Sequence, residues 1–92
     1  AHVARVRAWN SLERSWLAAQ LATRGLRVAP SQTNFVLVDF GREAAPIEAA
    51  LVARGVVPRP MAGYGLPTCL RITVGTRVDN ARLLLALDEA GA

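Results

Sequence analysis

The sequence predicts an α+β domain, a small sandwich of helices on a mostly antiparallel sheet. Three observations lead there. Apolar residues recur at three- and four-residue steps near the start, the middle and the end of the chain, which is helix spacing. Between those stretches lie short runs rich in Val, Ile, Leu and Phe, which read as strands. Glycine and proline mark the joins. The predicted order is helix, strand, strand, helix, strand, strand, helix.

His2 to Arg24 reads as the first helix, with Val3, Val6, Trp9, Leu12, Trp16, Leu17 and Leu21 on its stripe. Asn10-Ser11-Leu12-Glu13 also fits an N-cap with Glu13 closing a capping box, which leaves a break there open. The uninterrupted stripe favours one continuous helix. Gly25 supplies the left-handed residue that ends it. Trp9 and Trp16 lie on one side of this helix and read as packing residues. Leu26 to Ala29 is a strand, and Pro30-Ser31-Gln32-Thr33 a turn. Asn34-Phe35-Val36-Leu37-Val38-Asp39-Phe40 is apolar on both faces, so it is expected at the sheet's centre with cover on both sides.

Gly41 stops that strand. Pro46 suits the first turn of the second helix, whose stripe is Ile47, Ala50, Leu51 and Arg54. Gly55 ends this helix as Gly25 ends the first. Val56-Val57 is a short strand, closed by Pro58, which has no ladder N–H. Leu70, Ile72 and Val74 then alternate with Arg71 and Thr73 in the next strand, so the apolar trio faces a core and Arg71 and Thr73 face the other way. Gly75-Thr76 opens the last helix, with Thr76 and Asp79 spaced as a capping box. That helix carries Val78, Ala81, Leu84, Leu85 and Leu87 on a broad apolar face and runs to Glu89.

Ninety-two residues make one domain, residues 1–92. Such a chain buries only about 60–65% of its unfolded surface, so modest stability is expected. A hydrophobic share of 52% excludes disorder and implies apolar surface left for a partner. No apolar run approaches the ~18–20 residues of a membrane helix, and no signal peptide opens the chain. The net charge is +4, carried by eleven arginines and no lysine. These arginines are scattered and interleaved with acids, whereas a nucleic-acid surface needs them gathered, often with stacking aromatics. No nucleic acid and no membrane are therefore expected as partners.

Without lysine, no Schiff-base lysine exists in the chain. The single cysteine, Cys69, excludes an internal disulfide and a thiolate metal cluster, and reads as a small buried residue. The single histidine, His2, has no partner for a triad. No catalytic residue and no metal site are expected. Residue 1 is alanine and the only methionine is Met61, so the chain is expected to be processed, or cut from something longer.

The stretch from Arg59 to Thr76 is the candidate for function. Arg59 sits between Pro58 and Pro60, which stiffen and extend the backbone around it. A glycine-rich turn follows, then the strand with Arg71. From alternation alone, Arg71 is an outward strand arginine in a salt bridge or in water. Tyr64 in the turn and Asn34 at the strand start are more simply packing and loop-tying residues than ligand contacts.

Three segments resemble the C-terminal small domain of histidinol-phosphate aminotransferase, within the fold type I pyridoxal-phosphate-dependent aminotransferases. They are Pro30-Ser31-Gln32-Thr33-Asn34-Phe35-Val36-Leu37-Val38, then Arg54-Gly55-Val56-Val57-Pro58-Arg59-Pro60-Met61 continuing through Gly63-Tyr64-Gly65-Leu66-Pro67, then Leu70-Arg71-Ile72-Thr73-Val74-Gly75-Thr76 with Asp79-Asn80. In this order and spacing the resemblance extends over nearly all of this chain, and over about the last quarter of such an enzyme.

The resemblance implies a cytoplasmic homodimer of histidine biosynthesis that moves an amino group between glutamate and imidazole-acetol phosphate. Its cofactor, pyridoxal 5'-phosphate, belongs to a large domain absent here, so this chain is expected to bind none and to be inactive alone. The partners implied are that large domain, a second subunit and anionic small-molecule substrates. Self-association through the first and last helices is expected. Arg71 matches the family's substrate-binding arginine, and Arg59 matches an upstream arginine of the substrate region. Pro58 departs from the apolar residue usual before that arginine. A guanidinium fork accepts either the α-carboxylate of glutamate or the phosphate of histidinol phosphate with two parallel hydrogen bonds. Related aromatic-amino-acid aminotransferases and threonine-phosphate decarboxylase share these segments. A stand-alone small-molecule-binding regulatory module is the reading outside the enzyme class.

Overall fold

A computed structural model describes the backbone of residues 2–29 and 34–92, and side chains within 11–29 and 34–92. The helices are α1 (His2–Thr23), α2 (Ala45–Ala53) and α3 (Arg77–Glu89), and the strands are β1 (Arg27–Ala29), β2 (Phe35–Asp39), β3 (Arg59–Pro60) and β4 (Cys69–Thr73). A 3₁₀ turn spans Ala62–Tyr64. The predicted Pro30–Thr33 turn and the side chains of His2 and Trp9 lie outside the described residues.

The four strands form one antiparallel sheet in the order β1-β2-β4-β3. The α+β architecture predicted from spacing is the one observed. Val36 and Val38 pair with Ile72 and Leu70, so all four side chains leave the same face of the sheet. They join Leu17 and Leu21 of α1, Ile47 and Leu51 of α2, and Leu83, Leu84 and Leu87 of α3 in one buried cluster. All three helices therefore cover one face. Burying these side chains contributes roughly 1.5–3 kcal/mol for each large one.

The sequence reading of β2 as covered on both sides is corrected here. Val36 and Val38 are 1% and 0% exposed, while Phe35 and Leu37 on the other face are only half-buried. The three helices of the described residues make one layer, and none of them covers the second face.

α1 is continuous through Asn10–Glu13, and Glu13 serves a different contact described below. α1 and α2 end alike. Gly25 (φ 78°) and Gly55 (φ 83°) are left-handed. Gly25 N–H donates to the Ala22 carbonyl, and Leu26 N–H to the Leu21 carbonyl, at 2.9 and 3.3 Å. Gly55 and Val56 repeat the pair onto Val52 and Leu51 at 3.0 and 2.9 Å.

That second pair explains a further correction. Val56 N–H is committed to the Leu51 carbonyl, so Val56-Val57 forms no strand. Pairing begins instead at Arg59, and β3 is a two-residue edge strand, the place where Pro60 is tolerated. The apolar face predicted for α3 is also rotated. Val78 and Leu85 are 68% and 59% exposed, and Asn80, Leu83, Leu84, Ala86 and Leu87 face inward.

One end of the fold is laced by ion pairs. Arg24, just past α1, pairs with Asp88 at 2.8 Å, and Arg54, just past α2, pairs with Glu89 at 2.9 Å. Arg42, between β2 and α2, donates to the Gly91 carbonyl at 2.7 Å. All three acceptors lie in or just beyond the last turn of α3.

Candidate functional site

β4 is held between β2 and β3, and its alternation is the predicted one. Leu70 and Ile72 are 1% and 4% exposed and face the helices. Arg71 and Thr73 therefore project from the uncovered face. Arg59 of β3 is the cross-strand partner of Arg71, so both predicted arginines leave the same face side by side. They line one open groove of ≈ 310 Å³ with Val57, Pro58, Pro60 and Thr73. Pro58 is buried, which anchors the edge strand at the residue before Arg59.

Two like charges directly opposite one another are destabilising in a sheet. The ion pairs elsewhere make this pair conspicuous. Asp88, Glu89 and Glu13 are taken by Arg24, Arg54 and Arg77. Asp39 accepts from the Gly41 N–H at 2.9 Å, and this bond first, then one from Thr68, holds its carboxyl below the usual range. Asp79 belongs to a helix cap. Among the described residues no carboxylate pairs with Arg59 or Arg71. Among the described residues the Arg71 guanidinium lies against the Phe35 ring, whose centroid is 4.8 Å from Cζ. The arrangement offers guanidinium donors from two strands to an anion, in a groove open to solvent.

Beyond Arg71 the strand is fastened by a polar network that sequence reasoning missed. Val74 N–H donates to the Asn34 carbonyl at 2.7 Å. The Asn80 side chain grips both backbone groups of Gly75: Oδ1 accepts from the N–H at 2.9 Å, and Nδ2 donates to the carbonyl at 3.2 Å. The same Nδ2 donates to Glu13 Oε1 at 3.2 Å. Arg77 closes the set, donating from Nε and Nη2 to the two Glu13 oxygens at 3.0 and 2.9 Å while its Cζ lies 3.9 Å from the Trp16 ring centroid. Asn80 and Glu13 are 1% and 5% exposed. The Arg77 hydrogen bond is the main cause that holds the Glu13 carboxyl below its ordinary value of 4.5, against the opposing effect of burial.

The predicted capping box adjoins this network. Thr76 Oγ1 accepts from Asp79 N–H at 3.2 Å, and Asp79 Oδ2 accepts from Thr76 N–H at 3.3 Å. Gly75 has no room for a side chain, since a Cβ would stand 2.8 Å from Asp79 Oδ2 and 2.9 Å from Asp79 Cβ.

The remaining sequence candidates fall outside the groove. Tyr64 is 70% exposed on the 3₁₀ turn, so it does not pack over that turn as expected. Asn34 contributes its backbone carbonyl to Val74. Cys69 is buried, as a small apolar residue would be, with its thiol free. Among the described residues no three His, Cys, Asp or Glu side chains gather as a metal site, and no helix is long and apolar enough to cross a membrane.

Comparisons with known proteins agree with this architecture. A sequence model of the family described as "Aminotransferase class I and II" matches residues 5–87. A histidinol-phosphate aminotransferase of Anaeromyxobacter sp. is 54% identical over 88 residues, covering 95% of this chain and 24% of that protein. The solved histidinol-phosphate aminotransferase of Sinorhizobium meliloti, in complex with pyridoxal-5'-phosphate, superposes with a TM-score of 0.72 at 27% identity, over 97% of this chain and 25% of that one. The L-threonine-O-3-phosphate decarboxylase of Porphyromonas gingivalis shares the fold, with a TM-score of 0.78 at 24% identity over 91% of this chain and 27% of its own. The chain thus spans about a quarter of the length of the curated relatives it matches. Its sequence match and its helix-on-sheet topology point the same way, and it belongs to the class I and II aminotransferase family.

Proposed function

We propose that this chain is the substrate-recognising C-terminal small domain of a histidinol-phosphate transaminase, with Arg71 and Arg59 as its substrate-binding residues. The observation that carries this reading is the cross-strand arginine pair, aimed into one groove with no carboxylate against either member among the described residues. Close sequence relatives that bear that enzyme's name support it. In this reading the enzyme moves an amino group between glutamate and imidazole-acetol phosphate in histidine biosynthesis, as a cytoplasmic homodimer.

Pyridoxal phosphate is the cofactor of the family, and it supplies the electron sink for amino transfer. Its usual anchor is a lysine amine, and this chain has no lysine. The residues here therefore do not fit as its covalent anchor, which falls to the rest of a longer polypeptide. The exposed Val78 and Leu85, and the uncovered sheet face, are consistent with packing against such a remainder.

What these residues contribute is orientation. A guanidinium that fixes the substrate's anion aims the substrate's amine and removes rotational freedom before reaction. Each charge-assisted bond contributes about 1.5–3 kcal/mol. In the full enzyme, Arg71→Ala is expected to lower kcat/KM by about 2–5 kcal/mol for both amino donor and acceptor, with cofactor absorbance unchanged. Near-normal kcat/KM for both substrates would remove Arg71 from the site. The same measurement with aromatic amino acids and threonine phosphate separates this enzyme from its relatives of shared fold.

A further inference from the structure

An arginine that must receive an anion faces two opposed requirements. Its guanidinium must be held still, and its N–H donors must stay uncommitted. A carboxylate meets the first and defeats the second. Arg77 illustrates this: it lies over the Trp16 ring, yet both Nε and Nη2 are given to Glu13. An aromatic face alone meets both requirements, because it attracts the cation through the ring's quadrupole and takes no N–H.

Arg71 is held in this second way. Its Cζ lies 4.8 Å from the Phe35 centroid, and among the described residues it makes no ion pair. The register explains the contact. Phe35 pairs with Thr73 and Leu37 pairs with Arg71, so Phe35 is the diagonal neighbour of Arg71 on the same face. Diagonal neighbours are within reach of an aromatic side chain. Phe35 is half-buried on the face that no helix covers, so the buried core does not account for a large ring there.

We propose that Phe35 is a positioning residue: its ring holds the Arg71 guanidinium at the groove without consuming its donors, and so sets the groove's affinity for an anion. The inference rests on the groove being an anion site. Among the described residues no ring lies against Arg59, which is exposed on the edge strand between Pro58 and Pro60. Arg71 then gives direction, and Arg59 adds charge.

The test is an NMR titration of the 92-residue chain with inorganic phosphate at constant ionic strength, following the arginine side-chain signals. The wild-type chain should show saturable shifts, and Arg71→Gln should abolish them. Phe35→Leu should weaken binding about two- to fivefold, the range expected for a partly exposed cation–π contact, and Phe35→Trp should restore it. If Phe35→Leu loses the dispersion of a folded chain, Phe35→Met replaces it as the ringless variant of similar bulk. Wild-type-like binding by the folded ringless variant would overturn the role of Phe35 alone. Equal weakening in the ringless and Trp variants would overturn it too, because bulk and not the ring face would then matter. No saturable shift in the wild-type chain would overturn the anion site, and this inference with it.

Discussion

Glu13 lies on a helix whose neighbouring residues are exposed or half-buried, yet it is 5% exposed and bound by Arg77 and Asn80. Its pKa is lowered on folding, mainly by Arg77. A lowered carboxylate contributes stability above its unfolded value and loses that contribution as pH falls through the folded value. Asp39, held first by Gly41 N–H, and Asp88, held first by Arg24, shift in the same direction. Thermal melts should therefore show Tm falling as pH drops below the ordinary value of 4.5 for Glu13. Glu13→Gln should lower Tm at neutral pH, because a donor replaces an acceptor facing Arg77 and Asn80, and should flatten the acid fall. An unchanged acid profile in that variant would show that Glu13 is not one of the groups responsible. At this scale the sequence was uneven to read. Arg71 and Thr73 announce their face by alternation, and the prolines mark Arg59. Glu13 carries no such sign, because its partners Arg77 and Asn80 are 64 and 67 residues away.

At the scale of elements, local chemistry was legible and register was not. The glycine ends of α1 and α2 and the Thr76–Asp79 box form as their spacing predicts, since each is closed within a few residues. β3 was misplaced because a backbone bond at the end of α2 engages Val56. The inward face of α3 was misjudged because Asn80, a polar residue, is its first buried position. The diagonal between Phe35 and Arg71 needs the β2–β4 register, which no local pattern specifies. The α3 cap gives a direct test. Thr76→Ala removes the acceptor for Asp79 N–H and should cost about 1 kcal/mol in urea denaturation, with Thr76→Ser close to wild type. Because β4 runs straight into this cap, hydrogen exchange at Val74 and Gly75 should rise in the Ala variant and not in the Ser variant.

For the whole molecule, periodicity established helices on an antiparallel sheet but not that one sheet face stays uncovered, and chain length limits how much the layers bury. Domains hold about 5–15 kcal/mol against unfolding, and a chain with one sheet face uncovered belongs near the lower end. Leu87 is fully buried in the cluster shared by the helices and the sheet. Leu87→Ala should cost about 2–5 kcal/mol, enough to leave a measurable unfolded population at neutral pH without denaturant. Circular dichroism in a urea series would show this as a lower midpoint at unchanged slope. A loss well under 1 kcal/mol would mean the cluster is less tightly packed than the burial of Leu87 indicates.

The fold's two ends are fastened by different physics. Asp88 and Glu89 sit where a helix dipole disfavours negative charge, and Arg24 and Arg54 reach in from other segments to compensate them at the solvent boundary. At the opposite end Glu13 and Asn80 lie away from water. Dissolved electrolyte reaches both carboxylates of the first clasp, whereas in the second it reaches the Arg77 guanidinium and scarcely the buried Glu13 carboxylate. Brine should therefore let the C-terminal tips of all three helices fray together while the buried Glu13–Asn80 contact holds, giving this small body a hem that undoes before its collar.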